Sequence, residues 1–254
     1  MNIAHFNHAV SYGDIGVNCQ HPPITQLTEF ADVCYHNLIR CPRIVNYLLT
    51  QRNIDGQLIH EKHIGYFDIA LPLLNDSDLL FVDYRSFEEL RGCITVPILR
   101  DEETVGIQGE LYKSIDQQTP HNHLLSPNVV IEPFRFSKSV LRCVSQLDVF
   151  ALQKHGYQNS FCDLSGSVSE LTFDRLHRMG VEVLVYFTDA YGADFDIKRA
   201  EELSHYYRIQ LCEVKLPFAL TNFGLWDMYQ WQLLDKRLSS CLKLFGAYNE
   251  RYQA

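Results

Sequence analysis

Between residues 24 and 53 apolar side chains recur every three or four positions. The stretches ITQLTEFADVCYHNLI and PRIVNYLLTQR therefore predict two helices, with Pro42 placed to start the second. Residues 64–85 are mixed and carry short apolar runs such as DLLFVDY. In CITVPILRDEETVGIQGELY, β-branched runs flank a polar turn, and Gly106 and Gly109 lie in the second arm. That pattern predicts a β-hairpin.

From about residue 128 the rhythm changes. NVVIE reads as a short strand, and Ser137 to His155 as one long helix closed by Gly156. YQNSFCDL is a second strand. Ser167-Val-Ser-Glu170 has the form of a capping box whose helix runs to Gly180. VEVLVYF, FDIKRAEELSHYY and IQLCEVKLP follow as strand, helix and strand. The β-α-β-α-β-α-β order predicts an α/β fold with a parallel sheet flanked by helices. Ligands of such sheets sit beyond the carboxyl ends of the strands, where Glu132 and Asp189 fall. The last thirty or so residues, with Trp226, Trp231 and LLDKRLSSCLKLF, read as one or two helices packed on that body.

Composition narrows the class. The 254 residues are 46% apolar and 21% charged, with 13 Gly and 9 Pro, as in a globular protein. No apolar run approaches the ~20 residues that cross a bilayer, and the N-terminus lacks a signal-peptide pattern, so a cytoplasmic location is expected. The eight cysteines form no C-x-x-C pair and are expected to be reduced and mostly buried. Cys19-Gln-His21 and Cys34-Tyr-His36 have one-residue gaps, which is poor zinc geometry, and His121-Asn122-His123 reads as loop. A net charge of −9 argues against holding nucleic acid by bulk electrostatics, although a local basic groove stays compatible with it.

Five segments, in order across residues 40–217, resemble the catalytic core of the bacterial DnaG-type primases, whose centre is a TOPRIM domain. NYLLTQRNIDGQLIHEKHIGYFD is similar to the family's "YL, two residues, R-G-I" and its "F-x-I-G-Y" ending. LRGCITVPILRDEETVGIQGELY resembles the "R-I-x-F-P-I-x-D … V-G-F-G-G-R-x-L" hairpin, and HNHLLSP resembles "P-K-Y-L-N-S-P". LDVFALQKHGYQNSFCDLSGSVSE resembles "D-V-I-A-L-x-x-x-G, V-V-A-x-L-G-T-x-L-T". TDAYGADFDIKRAEE overlies "D-G-D-x-A-G-x-x-A-A-x-R-A-x-E" without a gap, with Arg199, Ala200 and Glu202 in place.

The resemblance implies a divalent metal, Mg²⁺ or Mn²⁺, held by the "D-G-D" aspartates during phosphoryl transfer. On the ungapped register those positions are Thr188 and Ala190, with Asp189 between them. Glu110 replaces the hairpin's closing arginine, Asn122 a lysine, and FALTN a polar turn. The family's glutamate has two placements. Either FSKSVL runs straight on to Asp148 and the glutamate is lost, or NVVIEP supplies the central strand with Glu132 as the glutamate and Pro133 as its glycine. The second is preferred, because a TOPRIM sheet needs that strand.

Candidate site residues follow. Glu132 and Asp189 are catalytic candidates, and Asp189, Asp194 and Asp196 are metal candidates, although Asp194 and Asp196 also suit a helix cap. Arg135, Lys138 and Arg142 would share one helix face and, with Arg91 and Arg100 beside the hairpin, contact nucleic acid or simply be solvated. Tyr206 and Tyr207 suit either stacking or packing. Residues 1–127 are expected to form a primase-like lobe, 128–217 a TOPRIM-like domain and 218–254 a helical segment. The losses at Thr188, Ala190, Glu110 and Asn122 point to a degenerate, primase-like protein without ordinary primase activity. Such a protein would bind single-stranded DNA or RNA, or a protein partner in a larger complex, without a metal cofactor and without a membrane. The alternatives are an active primase with relocated ligands, or a TOPRIM nuclease.

Overall fold

The first two predicted helices form where the periodicity places them. α1 spans Ile24–Ile39, and α2 spans Pro42–Gln51 with Pro42 at its first turn and Ile44 and Leu48 turned inward. The computed structural model describes residues 24–68, 84–100, 103–112, 122–125, 137–143, 145–162, 169–188, 196–218 and 223–244. Asp55 caps the short helix α3 (Gly56–Glu61) by accepting the Leu58 amide at 2.9 Å. After β1 (Gly65–Tyr66) and a 3₁₀ turn (Tyr84–Leu90), the predicted hairpin appears as β2 (Cys93–Arg100) and β3 (Glu103–Leu111).

These strands and β4 (Asn122–Leu125) make an antiparallel sheet in the order β1-β2-β3-β4. β4 corrects the loop reading of His121-Asn122-His123: Asn122 and His123 lie on a strand. That strand has no β-branched signal and exists through its pairing to β3, which sets Asn122 opposite Glu110. One core of this sheet joins Phe30 and Ala31 of α1 to Phe67, Phe87 and Ile107, with the rings of Phe30 and Phe87 stacked 3.9 Å apart.

The second sheet is parallel, as expected, with strand order β6-β5-β7-β8. Its central strand corrects the sequence reading. β5 is Ser139–Cys143, so the long helix expected from Ser137 to His155 divides into this strand and α4 (Gln146–Lys154). All five β5 residues are buried, and a strand covered on both faces lacks the alternation that distinguishes it from a buried helix. The register that sends FSKSVL straight on to Asp148 is therefore the one the fold follows. The argument for NVVIE as central strand falls, and Glu132 itself lies outside the described residues.

The remaining order is β6 (Ser160–Cys162), α5 (Glu170–Arg178), β7 (Val183–Thr188), α6 (Ile197–Tyr207) and β8 (Gln210–Lys215). Side-chain oxygens of Ser145, Ser169 and Asp196 cap α4, α5 and α6. The α5 cap is thus Ser169, which accepts the Thr172 amide at 3.0 Å, and not the capping box read at Ser167, which lies outside the described residues. Gly156 and Gly180 close α4 and α5 with positive φ, the C-terminal role expected of them.

Helices cover both faces of the sheet. α5 and α6 bring Phe173, Leu176, Ala200 and Leu203 against Val140, Phe161 and Leu184. α4 and the C-terminal α7 (Met228–Leu244) cover the other face, where Val149 and Leu152 meet Val185, Val214, Leu234 and Leu238. α7 starts with a reciprocal cap in which Asp227 Oδ1 accepts the Gln230 amide and Gln230 Oε1 accepts the Asp227 amide. Trp226 and Trp231 are 8% exposed within this core, so both are packing residues. Cys212 of β8 and Cys241 of α7 face each other, with Cα atoms 6.6 Å apart. The pair is 29 residues apart in sequence and meets only because α7 folds back along β8.

α4 ties the two sheets together. Leu147 and Phe150 point into the core of α2 and β2, while Val149, Ala151 and Leu152 point into the parallel sheet. A second tie is the 3₁₀ turn Phe223–Leu225, where a side chain on Gly224 would overlap the Arg52 carbonyl. Gly224→Ala is expected to lower stability by about 1–3 kcal/mol, because backbone rather than a flexible tip must move. Urea denaturation of the two proteins measures it, and an unchanged midpoint would mean that the turn does not sit on Arg52.

Candidate functional site

The parallel sheet grows from β5 to β6 on one side and to β7 on the other. The carboxyl ends of β5 and β7 therefore flank the switch point, the crevice where such sheets bind ligands. Four polar side chains converge beside it, each brought by a different constraint. Arg52 is the C-terminal cap position of α2, and Glu110 lies near the end of β3. Ser145 caps α4, and Asp148 sits in its first turn.

Arg52 Nη2 donates to Glu110 Oε2 at 2.9 Å and lies 3.6 Å from Asp148 Oδ1. The same nitrogen stands 3.4 Å from Ser145 Oγ, which in turn donates to Glu110 Oε2. Asp148 Oδ1 also accepts the Phe223 amide at 3.4 Å. Arg52 and Glu110 are almost wholly withdrawn from water, with side chains 3% and 8% exposed. Gln108, one alternation along β3 from Glu110, accepts the Gln146 amide at 3.1 Å. Three hydrogen-bonding side chains thus satisfy one another within the joint, and the cation is neutralised from inside the protein.

Burial raises the Asp148 carboxyl to about 7; Arg52 and the Phe223 amide offset it only in part, and Glu110 adds to it. Burial works against the charge on Arg52, but Glu110 and Asp148 outweigh it and raise its pKa above the usual value. One arginine faces two carboxylates, so near neutral pH one proton is shared with the solvent through Asp148.

At the end of β7, Thr188 Oγ1 donates to Glu213 Oε1 at 2.7 Å. Asp196 caps α6 by accepting the Arg199 amide at 3.1 Å, the second of the two roles weighed for it. A hydroxyl already bonded to a neighbour and a capping carboxylate do not make a cage for Mg²⁺ or Mn²⁺. Among the described residues no three His, Cys, Asp or Glu side chains converge as a metal site. Asp189 and Asp194 lie outside those residues, as does Arg135.

The predicted basic helix face is not formed. Arg142 is buried in the central strand β5, and Lys138 precedes that strand, where it pairs with Glu182 at 2.9 Å. Their spacing imitated a helical stripe on a chain that is extended there. Arg91 pairs with Glu88 at 2.6 Å, and Arg100 ends β2. Tyr207 leans on Phe173 and donates to Glu170, while Tyr206 is 77% exposed. Arg52, Ser145 and Asp148 were not singled out by sequence. The available signal was the ionisable residue inside the wholly apolar LDVFAL.

Two outcomes follow for the joint. Arg52→Met leaves Glu110 and Asp148 buried without a cation and is expected to cost about 3–5 kcal/mol, read from urea denaturation. Adding Glu110→Gln should recover part of it, and equal costs for single and double variants would deny the pair. Folded Asp148 keeps its proton where an unfolded aspartate, at about 3.9, has lost it. Its contribution to stability is therefore present below about pH 4 and is lost as pH rises to about 7. Against Asp148→Asn, the wild type should lose about 4 kcal/mol across that window, and a difference independent of pH would contradict the raised carboxyl.

No protein-family model matches the sequence, and neither does any curated protein. Solved structures do match in fold. A DNA primase domain from Pseudomonas aeruginosa superposes with a TM-score of 0.62 at 17% identity, covering 86% of this chain and 79% of that one. A DnaG primase catalytic domain bound to ssDNA gives 0.61 at 14% identity over 85% and 80% of the two chains. The RNA polymerase domain of Mycobacterium tuberculosis primase DnaG, in complex with double-stranded DNA carrying an overhang, gives 0.60 at 14% identity over 89% and 82%. The chain therefore has the fold of the DnaG primase catalytic core, with a parallel four-stranded TOPRIM-like sheet flanked by helices.

Proposed function

We propose that this chain is a degenerate primase-like protein that does not carry out ordinary primer synthesis. It serves as a nucleic-acid- or partner-binding component of a DNA replication or mobile-element complex in the cytoplasm. The observation that carries this reading is the neutralised Arg52. Phosphoryl transfer needs cations free to meet the charge of a triphosphate, and this guanidinium is engaged by Glu110 and Asp148 at the switch point. Thr188, at a position the resemblance gives to a metal-binding aspartate, supports the same reading through its bond to Glu213. The net charge of −9 agrees with a scaffold that engages its partner through a limited surface.

The test is calorimetric titration of Mg²⁺ and Mn²⁺ into the full chain, beside primer-synthesis assays on single-stranded template. The expected result is no saturable metal binding in the millimolar range and no RNA product. Metal-dependent synthesis that Glu132→Gln or Asp189→Asn abolishes would overturn the proposal and identify an active primase with relocated ligands. Cleavage of labelled DNA under the same conditions would identify a nuclease. Anisotropy of a labelled single-stranded oligonucleotide, read at two salt concentrations, separates nucleic-acid binding from a role confined to protein partners.

A further inference from the structure

We propose that Cys212 and Cys241 are a reversible redox clamp that fastens the C-terminal helix to the edge of the parallel sheet. Through it, the Phe223–Leu225 turn is held on the Arg52–Asp148 joint. The inference is independent of whether the chain makes primers.

The pair is set apart by placement: Cys212 is buried on β8 and Cys241 is half-buried on α7, directly across from it. Cys34, Cys93, Cys143 and Cys162 are buried and in no disulfide. Burial drives the thiols of Cys34, Cys93 and Cys143 far above the ordinary range, which disfavours their attack on an external disulfide. Cys212 points from β8 into the cluster of Trp231, Leu234 and Leu238, while Cys241 is half-buried one turn beyond Leu238. Their Cα separation of 6.6 Å lies within the reach of a disulfide.

Non-covalent contacts also hold this part of α7, among them the stacking of Trp231 on His155. Besides the apolar cluster, Arg237 donates to the Lys215 carbonyl, and Asp235 accepts the Tyr157 hydroxyl. The clamp closes a 29-residue span that contains the 3₁₀ turn. Within that turn Phe223 donates to Asp148, and Gly224 lies against the Arg52 backbone. Closing the clamp restricts the very segment that covers the charge network; opening it leaves α7 held by packing and non-covalent contacts.

The chemistry balances with a small-molecule disulfide as oxidant. The accessible Cys241 thiolate attacks glutathione disulfide and releases one glutathione thiolate, leaving a mixed disulfide. The Cys212 thiolate then attacks the Cys241 sulfur and releases the second. Two protein thiols lose two protons and two electrons, and the glutathione disulfide is reduced to two thiols.

The experiment treats the full chain with glutathione disulfide or with dithiothreitol, traps remaining thiols with iodoacetamide and maps the peptides by mass spectrometry. After oxidation Cys212 and Cys241 should be the protected pair, with half-buried Cys41 still alkylated. The unfolding midpoint should rise by about 5–10 °C over the reduced protein, as closing a loop of this length implies. Amide exchange between residues 216 and 241 should slow, and Cys241→Ser should remove both effects. The proposal is falsified if Cys212 and Cys241 remain fully alkylated after oxidation. It also fails if Cys241→Ser keeps the midpoint shift. Peptide mapping of the wild type decides the matter even if that variant folds poorly.

Discussion

One guanidinium, taken out of water, sets the terms for the rest of this protein. Arg52 can stay in the joint between the sheets only while Glu110, Asp148 and Ser145 surround it, since an isolated buried charge costs several kcal/mol. Glu110 arrives on β3, and Ser145 and Asp148 arrive together on α4. The end of α2, the end of β3 and the start of α4 must therefore meet within hydrogen-bonding distance. The relative placement of the two sheets follows from this requirement as much as from apolar packing.

α4 transmits the constraint. Seven of its nine residues are buried, which is unusual for a helix in a sheet protein and explains why its sequence has no polar stripe. Leu147 and Phe150 answer to one core while Val149 and Leu152 answer to the other. Lys154 at its far end reaches the Asn53 carbonyl and Asp55, so the helix grips the α2–α3 connection at the same time. The C-terminal turn completes the enclosure from outside.

The sequence was most legible where local chemistry is strong. Pro42, the hairpin from Cys93 to Leu111 and the alternation of elements from β6 to β8 all carry signals that do not depend on distant residues. It was least legible at β5, whose burial on both faces erased the period of two, and whose Arg142 fell at helical distance from Lys138. The α5 cap was displaced by two residues because Ser167 and Ser169 offer the same oxygen. The strand pattern points to acidic residues beyond the strand ends, whereas the network in place comes from β3 and two helix termini. Nothing local marks Arg52 and Glu110, 58 positions apart, as partners.

The Arg52–Glu110 pair has a historical consequence. A cation substituted at position 110 would confront Arg52 at about the separation of a hydrogen bond, with little water to screen the repulsion. A neutral residue there would leave Arg52 with one fewer carboxylate to balance it, beside Asp148. No one-step path therefore leads from this arrangement to a crevice with two free cations; at least two substitutions must arrive together.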